Sequence, residues 1–516
     1  MWFKDTKWVK VCSLIGAHFT ASPLAFLWSW GNLAPYLNSY YKFSCSPDCV
    51  DGSNQWVLHL YIVFVTPGLF TVGRLASVIG MKGLALLSAL LCGVPMMASA
   101  WTVNISVVGS TILLGVLNGI SLGTSLNTAM MSVNVWAPEK TAILSGTVTS
   151  LPPVLAFIQN QIVTAYVNPK NLKPDVTEFS NTYFSQSEIL ERVPNAIRIL
   201  AGITLGMQLI GFLLTSDPPT PVVRACSTTV DVCKQGKTHH RKSLKDTSSA
   251  LDAAHPLRTE HSHSNGKAAT TYGSSNGCQH QTDMTALETI GADDKAEKSG
   301  TSHSTGALSS LVPEPLLSCS IIQAVKSASF WANSTFLAVE VYGTTVKNGY
   351  FKVFGLMYIP DDNLLTVLSS IIPLAEAAIR VIFGVLLNKN IISMKASLVI
   401  SLSLNCVLFS LFYFAPQLHF VAYLVLIFGL CLSHGQLFVL YTTVTFKVFG
   451  PANFAMLYAT GYLPTAALVL VAAGIVTPVL DTVGWFWLFM TVAAPSTLVL
   501  IAAVCTDVRP NLAAYL

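Results

Sequence analysis

The chain has 516 residues, of which 52% are hydrophobic and only 10% are charged. Soluble domains carry about 25% charged residues, so this composition excludes a water-soluble globular protein. It also excludes fibrous, wholly disordered and disulfide-scaffold proteins. The formal net charge of +4 is too small to predict nucleic-acid binding. The composition is typical of a membrane protein that crosses the bilayer many times.

Hydrophobic stretches of about 20 residues, the length that a helix needs to cross the hydrocarbon core, occur on both sides of a polar middle segment. The first six lie near 11–36, 55–80, 83–103, 105–128, 141–167 and 196–215. The second six lie near 330–350, 363–388, 393–415, 418–443, 452–479 and 482–504. The sequence therefore predicts an all-α membrane protein with twelve transmembrane helices in two six-helix bundles.

Lysine and arginine are concentrated at one side of this predicted membrane domain. They occur in the N-terminal segment and after the even-numbered spans, whereas the loops after the third, ninth and eleventh spans have none. Positive residues favour the cytosolic side, so we expect both termini in the cytosol, and we favour the plasma membrane over an internal organelle. The predicted layout is an N-terminal segment (1–10), a six-helix bundle (11–215), a linker (216–327), a second six-helix bundle (328–504) and a C-terminal segment (505–516).

The middle segment 216–312 is rich in Ser, Thr, Gly and His and lacks apolar periodicity. Such a segment cannot bury enough surface to order itself, so we predict a largely disordered cytosolic linker. Residues 314–327 have apolar residues at helical spacing, which predicts a short helix along the membrane interface.

Cys45 and Cys49 differ from the other cysteines because they lie in the short loop after the first span, on the non-cytosolic side. An oxidising space would permit a disulfide between them. The spans contain no cluster of metal ligands, nucleotide loop or nucleophile motif. We therefore predict no metal, no cofactor and no enzymatic activity.

The loop after the second span carries a motif framed by glycines. Gly73 and Gly80 allow a tight reversal between packed helices, and Lys82 follows them. This run resembles the loop signature of the major facilitator superfamily, although Ser77 and Val78 stand where that family usually has Asp and Arg.

A second copy of the signature follows the eighth span, where Gly384 precedes Asn388 and Lys389 in the Asp-Arg position. A signature in both halves is stronger than either match alone. The resemblance implies two pseudo-symmetric bundles with a substrate site near the midplane between them.

Within that superfamily, four passages resemble the oxalate/formate antiporters and the related monocarboxylate transporters. They close the first span, enter the fifth, follow the seventh and open the eleventh, at residues 30–37, 136–146 (which ends in Ser145-Gly146), 350–355 and 449–455. Together they extend over most of the chain outside the linker.

Charged residues inside a bilayer cost roughly 2.5–3.5 kcal/mol each, so those near mid-span are candidate functional residues. Glu376 and Arg380 lie one turn apart on the eighth span. They resemble an acidic residue and an arginine in the eighth helix of the monocarboxylate transporters. The resemblance implies that Arg380 binds a substrate carboxylate, which a guanidinium fork matches, and that Glu376 couples protons or charge. The alternative is that the two residues only neutralise each other.

Glu340 in the seventh span is the third such residue. If Glu376, Arg380 and Glu340 were all ionised, the cavity would carry one net negative charge, which disfavours an anionic substrate. Either Glu340 is protonated and acts in proton coupling, or it pairs with Lys347 or His434. His434 in the tenth span could relay protons, since imidazole titrates near neutral pH. A buried structural histidine is the alternative.

Polar and aromatic residues of the first and fifth spans complete the candidate substrate site. Trp30 and Asn32 could clamp a substrate or belong to an interfacial belt, and Gln159 offers a polar lining. The monocarboxylate transporters commonly have a lysine in the first helix, and this first span has none between Lys10 and Lys42. That difference weakens strict proton–lactate symport and leaves anion exchange open.

Three glycines recur every four residues on the fourth span: Gly115, Gly119 and Gly123. Small residues at this spacing predict that a neighbouring helix approaches closely. We interpret the stripe as packing rather than chemistry.

These patterns together predict a secondary active transporter of small organic anions, with monocarboxylates favoured, driven by a proton or a counter-anion. The alternatives are a neutral amino-acid facilitator of the same superfamily and a transport-inactive sensor or scaffold. The expected partners are the substrate, the lipid bilayer and, by the resemblance, a single-span accessory glycoprotein.

Overall fold

The structure is a computed structural model that describes residues 6–45, 55–178, 181–217, 318–359 and 362–508. Helices dominate these residues. Spans 1–6 form the N-terminal half and spans 7–12 form the C-terminal half. Most of the linker predicted at 216–327 lies outside the described residues.

The spans of the N-terminal half follow the predicted ranges closely. Span 1 consists of Thr6–Thr20 and Phe26–Phe43, joined by the short turn Ser22–Ala25. Spans 2 and 3 are formed by Gln55–Val63 and Val65–Thr102, and Gly80 divides the latter because its φ of +70° breaks the helix. Span 4 is Val107–Thr111, Ile112–Leu117 and Asn118–Trp136, span 5 is Thr141–Val167, and span 6 is Val193–Leu214. The short helices Pro138–Lys140 and Ser187–Leu190 precede spans 5 and 6.

The C-terminal half begins with a short helix, Ile321–Lys326, inside the segment predicted to lie at the interface. Span 7 is Ala328–Leu356, span 8 is Asp362–Asn388 and span 9 is Met394–Phe412. The short helix Ala415–Leu418 leads to span 10, which is Phe420–Gly435 and Leu437–Phe449. Span 11 is Phe454–Gly461 and Leu463–Thr482, and span 12 is Trp485–Cys505.

The predicted twelve-helix membrane protein is confirmed. Ten helical stretches of the described residues are long and apolar enough to cross a membrane. One of them, Trp56–Thr102, makes two crossings because Gly80 divides it. Span 7 adds a helix of 29 residues, which is long enough to cross although it carries buried charges.

The structure adds one feature to the all-α prediction, a two-stranded antiparallel hairpin between spans 5 and 6. Its strands are Val176–Glu178 and Asn181–Tyr183. Each strand has three residues, too short for alternation of polar and apolar residues to be a signal in the sequence.

The predicted close approach along span 4 occurs against span 2. A Cβ atom added to Gly115, Gly119 or Gly123 would lie 2.9, 2.4 or 2.0 Å from a backbone oxygen of span 2. No side chain fits at such distances, so the glycines allow the two helix backbones to touch. The stripe is packing, as we interpreted it.

Gly123→Ala is expected to lower the thermal unfolding midpoint of the detergent-purified protein by several degrees, since overpacking a tight contact costs about 1–3 kcal/mol. Gly206 of span 6 is the matched control, because a Cβ atom there would meet nothing within 4 Å. Gly206→Ala should unfold at or above the wild-type midpoint, since alanine favours helix. Equal midpoints for the two variants would contradict the packing account.

The two halves contact each other at both ends of the bundle. We call the end with the turn at Gly80 the Gly80 end, and the opposite end, with the β-hairpin, the hairpin end. Near the Gly80 end, Gly73 of span 2 faces Met456 of span 11 so closely that an added Cβ would lie 2.3 Å from its sulfur. Toward the hairpin end, Gln161 of span 5 donates to Ser370 Oγ of span 8 at 3.0 Å. The central region is therefore enclosed between the halves.

Candidate functional site

Span 8 places Glu376 and Arg380 one turn apart on the same face, as their spacing predicted. Both side chains are buried, and Arg380 is only 1% exposed. The Nη2 of Arg380 donates to Glu376 Oε2 at 3.3 Å, and its Nη1 donates to the carbonyl oxygen of Thr149 in span 5 at 2.6 Å. Groups from both halves of the protein therefore hold Arg380.

Lys347 of span 7 forms an ion pair with the other oxygen of the same carboxylate, Glu376 Oε1. Neither side chain has any exposed surface. One buried carboxylate thus lies between two buried cations, Lys347 and Arg380. With all three groups ionised, this cluster carries one net positive charge.

Two aromatic rings flank the guanidinium. The Nε1 of Trp28 in span 1 donates to Glu376 Oε2 at 3.1 Å. The centre of the Arg380 guanidinium lies 4.8 Å from the Trp28 ring centroid and 5.5 Å from that of Phe438 in span 10. Cation–π contacts of this kind stabilise a desolvated cation without neutralising its charge. The positive charge of Arg380 is therefore retained where the two halves meet.

The guanidinium is not fully used by the protein. Within the part of the chain that the structure describes, Arg380 Nε has no hydrogen-bond partner. A guanidinium has five N–H donors arranged in a planar fork that matches a carboxylate. Arg380 can therefore accept a further anionic ligand if Glu376 yields its place.

A small apolar cavity lies beside this cluster. Its lining includes Leu27, Tyr61, Val341 and Phe438, which come from both halves of the protein. Phe438 also contacts the guanidinium, so the cavity and the charged cluster share this ring. An apolar wall near a buried cation suits a small ligand with one charged group and an apolar body.

A second buried cluster surrounds Glu340 of span 7. The hydroxyl oxygens of Ser401 in span 9 and Ser433 in span 10 lie 2.9 Å and 3.0 Å from the Glu340 carboxylate. His434 Nε2 lies 3.9 Å from Glu340 Oε2 and 3.3 Å from the side-chain oxygen of Asn405. The two predicted proton-coupling residues of spans 7 and 10 therefore lie together.

Of the two partners that we weighed for Glu340, His434 lies beside it, and Lys347 is paired elsewhere in this structure. Lys347 pairs with Glu376, whereas Glu340 is held by serine hydroxyls next to His434. The charge count in the sequence analysis also left out Lys347, which belongs to the site. A lysine inside an apolar span was the available signal, but its partner on another helix could not be read from spacing.

Three residues predicted to bind substrate have other described contacts. The ring of Trp30 lies 5.4 Å from that of Phe26. Asn32 donates to Thr164 Oγ1 at 3.0 Å, and Gln159 accepts a hydrogen bond from Ser29 Oγ at 2.7 Å. Asn32 and Gln159 thus join span 1 to span 5, and Trp28 is the first-span tryptophan that contacts Arg380 and Glu376.

The first loop signature forms a tight turn at Gly80, whereas Gly73 lies inside span 2 and not in the turn. Gly80 has a φ of +70°, and the backbone N–H of Met81 donates to Asp217 Oδ1 at 2.5 Å. Lys82 Nζ lies 5.3 Å from the Phe212 ring centroid. The acidic group at this turn comes from the residues after span 6, because Ser77 replaces the Asp of the family's signature.

The second signature is built differently. Gly384 lies inside span 8, where an added Cβ would lie 2.7 Å from the carbonyl oxygen of Ala142 in span 5. Asn388 ends the helix, Lys389 is exposed, and Asn390 makes the turn with a φ of +54°. Gly384 therefore allows the crossing of spans 5 and 8 rather than the chain reversal.

Cys45 is disulfide-bonded. Its predicted partner, Cys49, lies outside the described residues, so the pairing of the two stays a prediction. Among the described residues, no group of three or more His, Cys, Asp or Glu side chains could hold a metal ion.

Solved transporter structures have the same fold. A crystal structure of the D-xylose–proton symporter matches with a TM-score of 0.60 at 10% identity, over 97% of this chain and 98% of that chain. The partially occluded inward-open xylose transporter XylE from E. coli gives a TM-score of 0.57 at 10% identity, over 96% and 97%. The human organic anion transporter MFSD10 gives 0.52 at 13% identity, over 96% and 99%.

The chain therefore has the major facilitator superfamily fold. No family model matches the sequence. Apicoplast pyruvate carrier 1 of Toxoplasma gondii is 24% identical over 276 residues, which cover 43% of this chain and 49% of that protein. The chain thus spans about half the length of this curated relative.

Proposed function

We propose that the protein is a secondary active transporter of small organic anions, with monocarboxylates as its substrates. The observation that carries this proposal is the buried cluster of Arg380, Glu376 and Lys347, which has one net positive charge where the two halves meet. One carboxylate would neutralise it. A buried charge inside a membrane protein is costly, so the cluster favours a ligand of charge −1.

Two of the similar proteins agree with an anionic substrate. The curated relative is named a pyruvate carrier, and one of the solved structures is described as an organic anion transporter. The Glu376–Arg380 pair and the four sequence passages resemble the oxalate/formate antiporters and the monocarboxylate transporters. We therefore propose that the protein is related to those two groups of transporters.

In this mechanism the substrate carboxylate binds the fork of Arg380, between the rings of Trp28 and Phe438. Glu376 loses its contact with Arg380 but keeps Lys347, so Glu376 and the substrate carboxylate each have a cation. The apolar body of the substrate occupies the adjoining cavity. Rocking of the two halves would then open the site to one side of the membrane at a time, as in transporters built from two related bundles.

The amino-acid alternative needs an acidic group for the substrate amine. Both buried carboxylates of the site have partners, since Glu376 holds Lys347 and Glu340 holds the hydroxyls of Ser401 and Ser433. A substrate amine would have to displace one of these partners. The observed contacts therefore favour an anion over an amino acid.

The membrane topology, the location and the accessory subunit are proposed from the sequence. We propose that both termini and the linker lie in the cytosol of a plasma-membrane protein, and that a single-span glycoprotein is a candidate accessory subunit. Protease protection of N- and C-terminal tags in sealed cells tests the topology: both tags should be cleaved only after the membrane is permeabilised.

Uptake of labelled pyruvate, lactate, oxalate and leucine into proteoliposomes tests the proposed function. We expect uptake of pyruvate or lactate with little uptake of leucine, because only a monoanion balances the cluster. Uptake of leucine alone would establish the amino-acid alternative. No uptake of any of the four by folded protein would contradict the proposal and favour the sensor or scaffold alternative.

A further inference from the structure

Lys347 forms an ion pair with Glu376 and also interacts electrostatically with a second carboxylate, Glu340. Glu340 and Lys347 are seven residues apart on span 7, two helical turns, so their side chains lie on the same face. Lys347 is paired with Glu376 of span 8, and Glu340 lies against the hydroxyls of spans 9 and 10. The lysine therefore couples the Arg380 site electrostatically to Glu340.

The charges of these four groups can be counted because all of them are buried. Lys347, Arg380 and ionised Glu376 give a net charge of +1. An ionised Glu340 brings the total to zero, and a protonated Glu340 leaves it at +1. A bound monoanion together with a protonated Glu340 also gives zero.

We propose that Glu340 is the proton-coupling site and that Lys347 transmits the charge state of Glu340 to the substrate site. Lys347 pairs with Glu376 when Glu340 is protonated, and with Glu340 when Glu340 is ionised. This inference rests on the proposed function. It replaces the open choice between proton coupling and anion exchange with coupling of one proton to one monocarboxylate.

Charge balance makes this coupling obligatory. The empty carrier with ionised Glu340 and the carrier with both proton and substrate are neutral, so both can rearrange through the low-dielectric centre. A carrier with only the proton bears +1, and a carrier with only the substrate bears −1. Because moving a net charge through the bilayer is unfavourable, these two forms rearrange poorly.

Lys347 suits this role because its ammonium is a compact charge on a long flexible stem. When it moves to an ionised Glu340, Glu376 is free to pair with Arg380 and to block the guanidinium. When Glu340 is protonated, Lys347 neutralises Glu376 and Arg380 becomes available. The structure has the Lys347–Glu376 pair of the second arrangement, while Arg380 Nη2 still donates to Glu376 Oε2 and Arg380 Nε has no partner among the described residues.

The groups around Glu340 can form hydrogen bonds with it in either protonation state. Ser401 and Ser433 carry hydroxyls, which donate to a carboxylate or accept from a carboxylic acid. His434 contributes the other titratable group that faces Glu340, and Cys431 on the same span faces Lys347 and Arg380. Among the described residues, His434 Nδ1 has no hydrogen-bond partner, and Nε2 is the ring nitrogen that faces Glu340.

Glu340→Gln is the informative variant, because it holds the site in the neutral form. In proteoliposomes, exchange of internal for external pyruvate at equal pH should stay within about threefold of wild type, since the substrate-loaded form remains neutral. Accumulation driven by an inward proton gradient should fall at least tenfold, because the empty carrier now bears +1 and cannot return. Glu188→Gln, an exposed carboxylate change near the hairpin end, should leave both rates unchanged.

A measurement on the wild-type protein makes the test independent of how the variant folds. A pH-sensitive dye inside the vesicles should report one proton entering with each pyruvate. If Glu340→Gln keeps gradient-driven accumulation, or loses exchange as well although it is folded, the inference is overturned. Net uptake of pyruvate by the wild type without proton entry would also overturn it, but would leave the proposed function standing. Absence of any pyruvate transport by the wild type would instead remove the proposed function itself.

Discussion

Arg380→Ala is expected to reduce pyruvate uptake into proteoliposomes at least about 30-fold. Removing one partner of a buried, hydrogen-bonded charge pair costs about 2–5 kcal/mol, and every 1.4 kcal/mol is tenfold. Arg380 contributes the net positive charge of the cluster, so without it the substrate carboxylate would enter a neutral site and remain unpaired. Initial uptake rates over a range of pyruvate concentrations measure the loss.

Arg380→Lys distinguishes the shape of the side chain from its charge. A lysine keeps the positive charge but lacks the planar fork and the stacking between Trp28 and Phe438. We expect uptake well below wild type but above that of Arg380→Ala. Arg198→Lys is the matched control, because Arg198 of span 6 stacks on Trp101 at 5.0 Å, and it should transport like wild type. Unchanged uptake by Arg380→Ala would eliminate the carboxylate role.

Glu376→Gln is expected to destabilise the folded protein by about 3–5 kcal/mol, because it leaves two buried cations without an anion. The loss should appear as a lower thermal unfolding midpoint in detergent and as poor expression. Folding stability is the measurement of choice here, since transport would fail for several reasons at once.

A second substitution separates this charge effect from a general packing defect. Lys347→Met together with Glu376→Gln removes one cation and the carboxylate, which restores a single net positive charge. The double variant should therefore unfold at a higher temperature than Glu376→Gln alone, in the manner of a double-mutant cycle. If the double variant is the less stable of the two, the two residues do not balance each other and the charge count is wrong.

Local spacing predicted the parts of the site that lie on one helix. The Glu376–Arg380 pair follows from a separation of four residues, and the glycines of span 4 follow from their period. Gly80 as a turn residue follows from its conformational freedom. Each of these signals depends only on neighbours within the same segment of chain.

Contacts between helices could not be predicted in this way. Trp28 and Trp30 are two positions apart, so they lie on nearly opposite faces of a helix, and which of them meets span 8 depends on the rotation of span 1. The pairing of Lys347 with Glu376 depends likewise on how spans 7 and 8 pack. The acidic group of Asp217 reaches the Gly80 turn from the far end of span 6, which no local motif could indicate.

Binding of labelled pyruvate to the purified protein, with lactate and lactamide as unlabelled competitors, tests the central claim most directly. Lactate and lactamide differ in the charged carboxylate and are otherwise closely similar in size and shape. The account predicts saturable binding that lactate displaces and lactamide does not, and loss of this binding in Arg380→Ala. Equal displacement by both competitors, or undiminished binding in Arg380→Ala, would contradict the claim that Arg380 recognises a monocarboxylate.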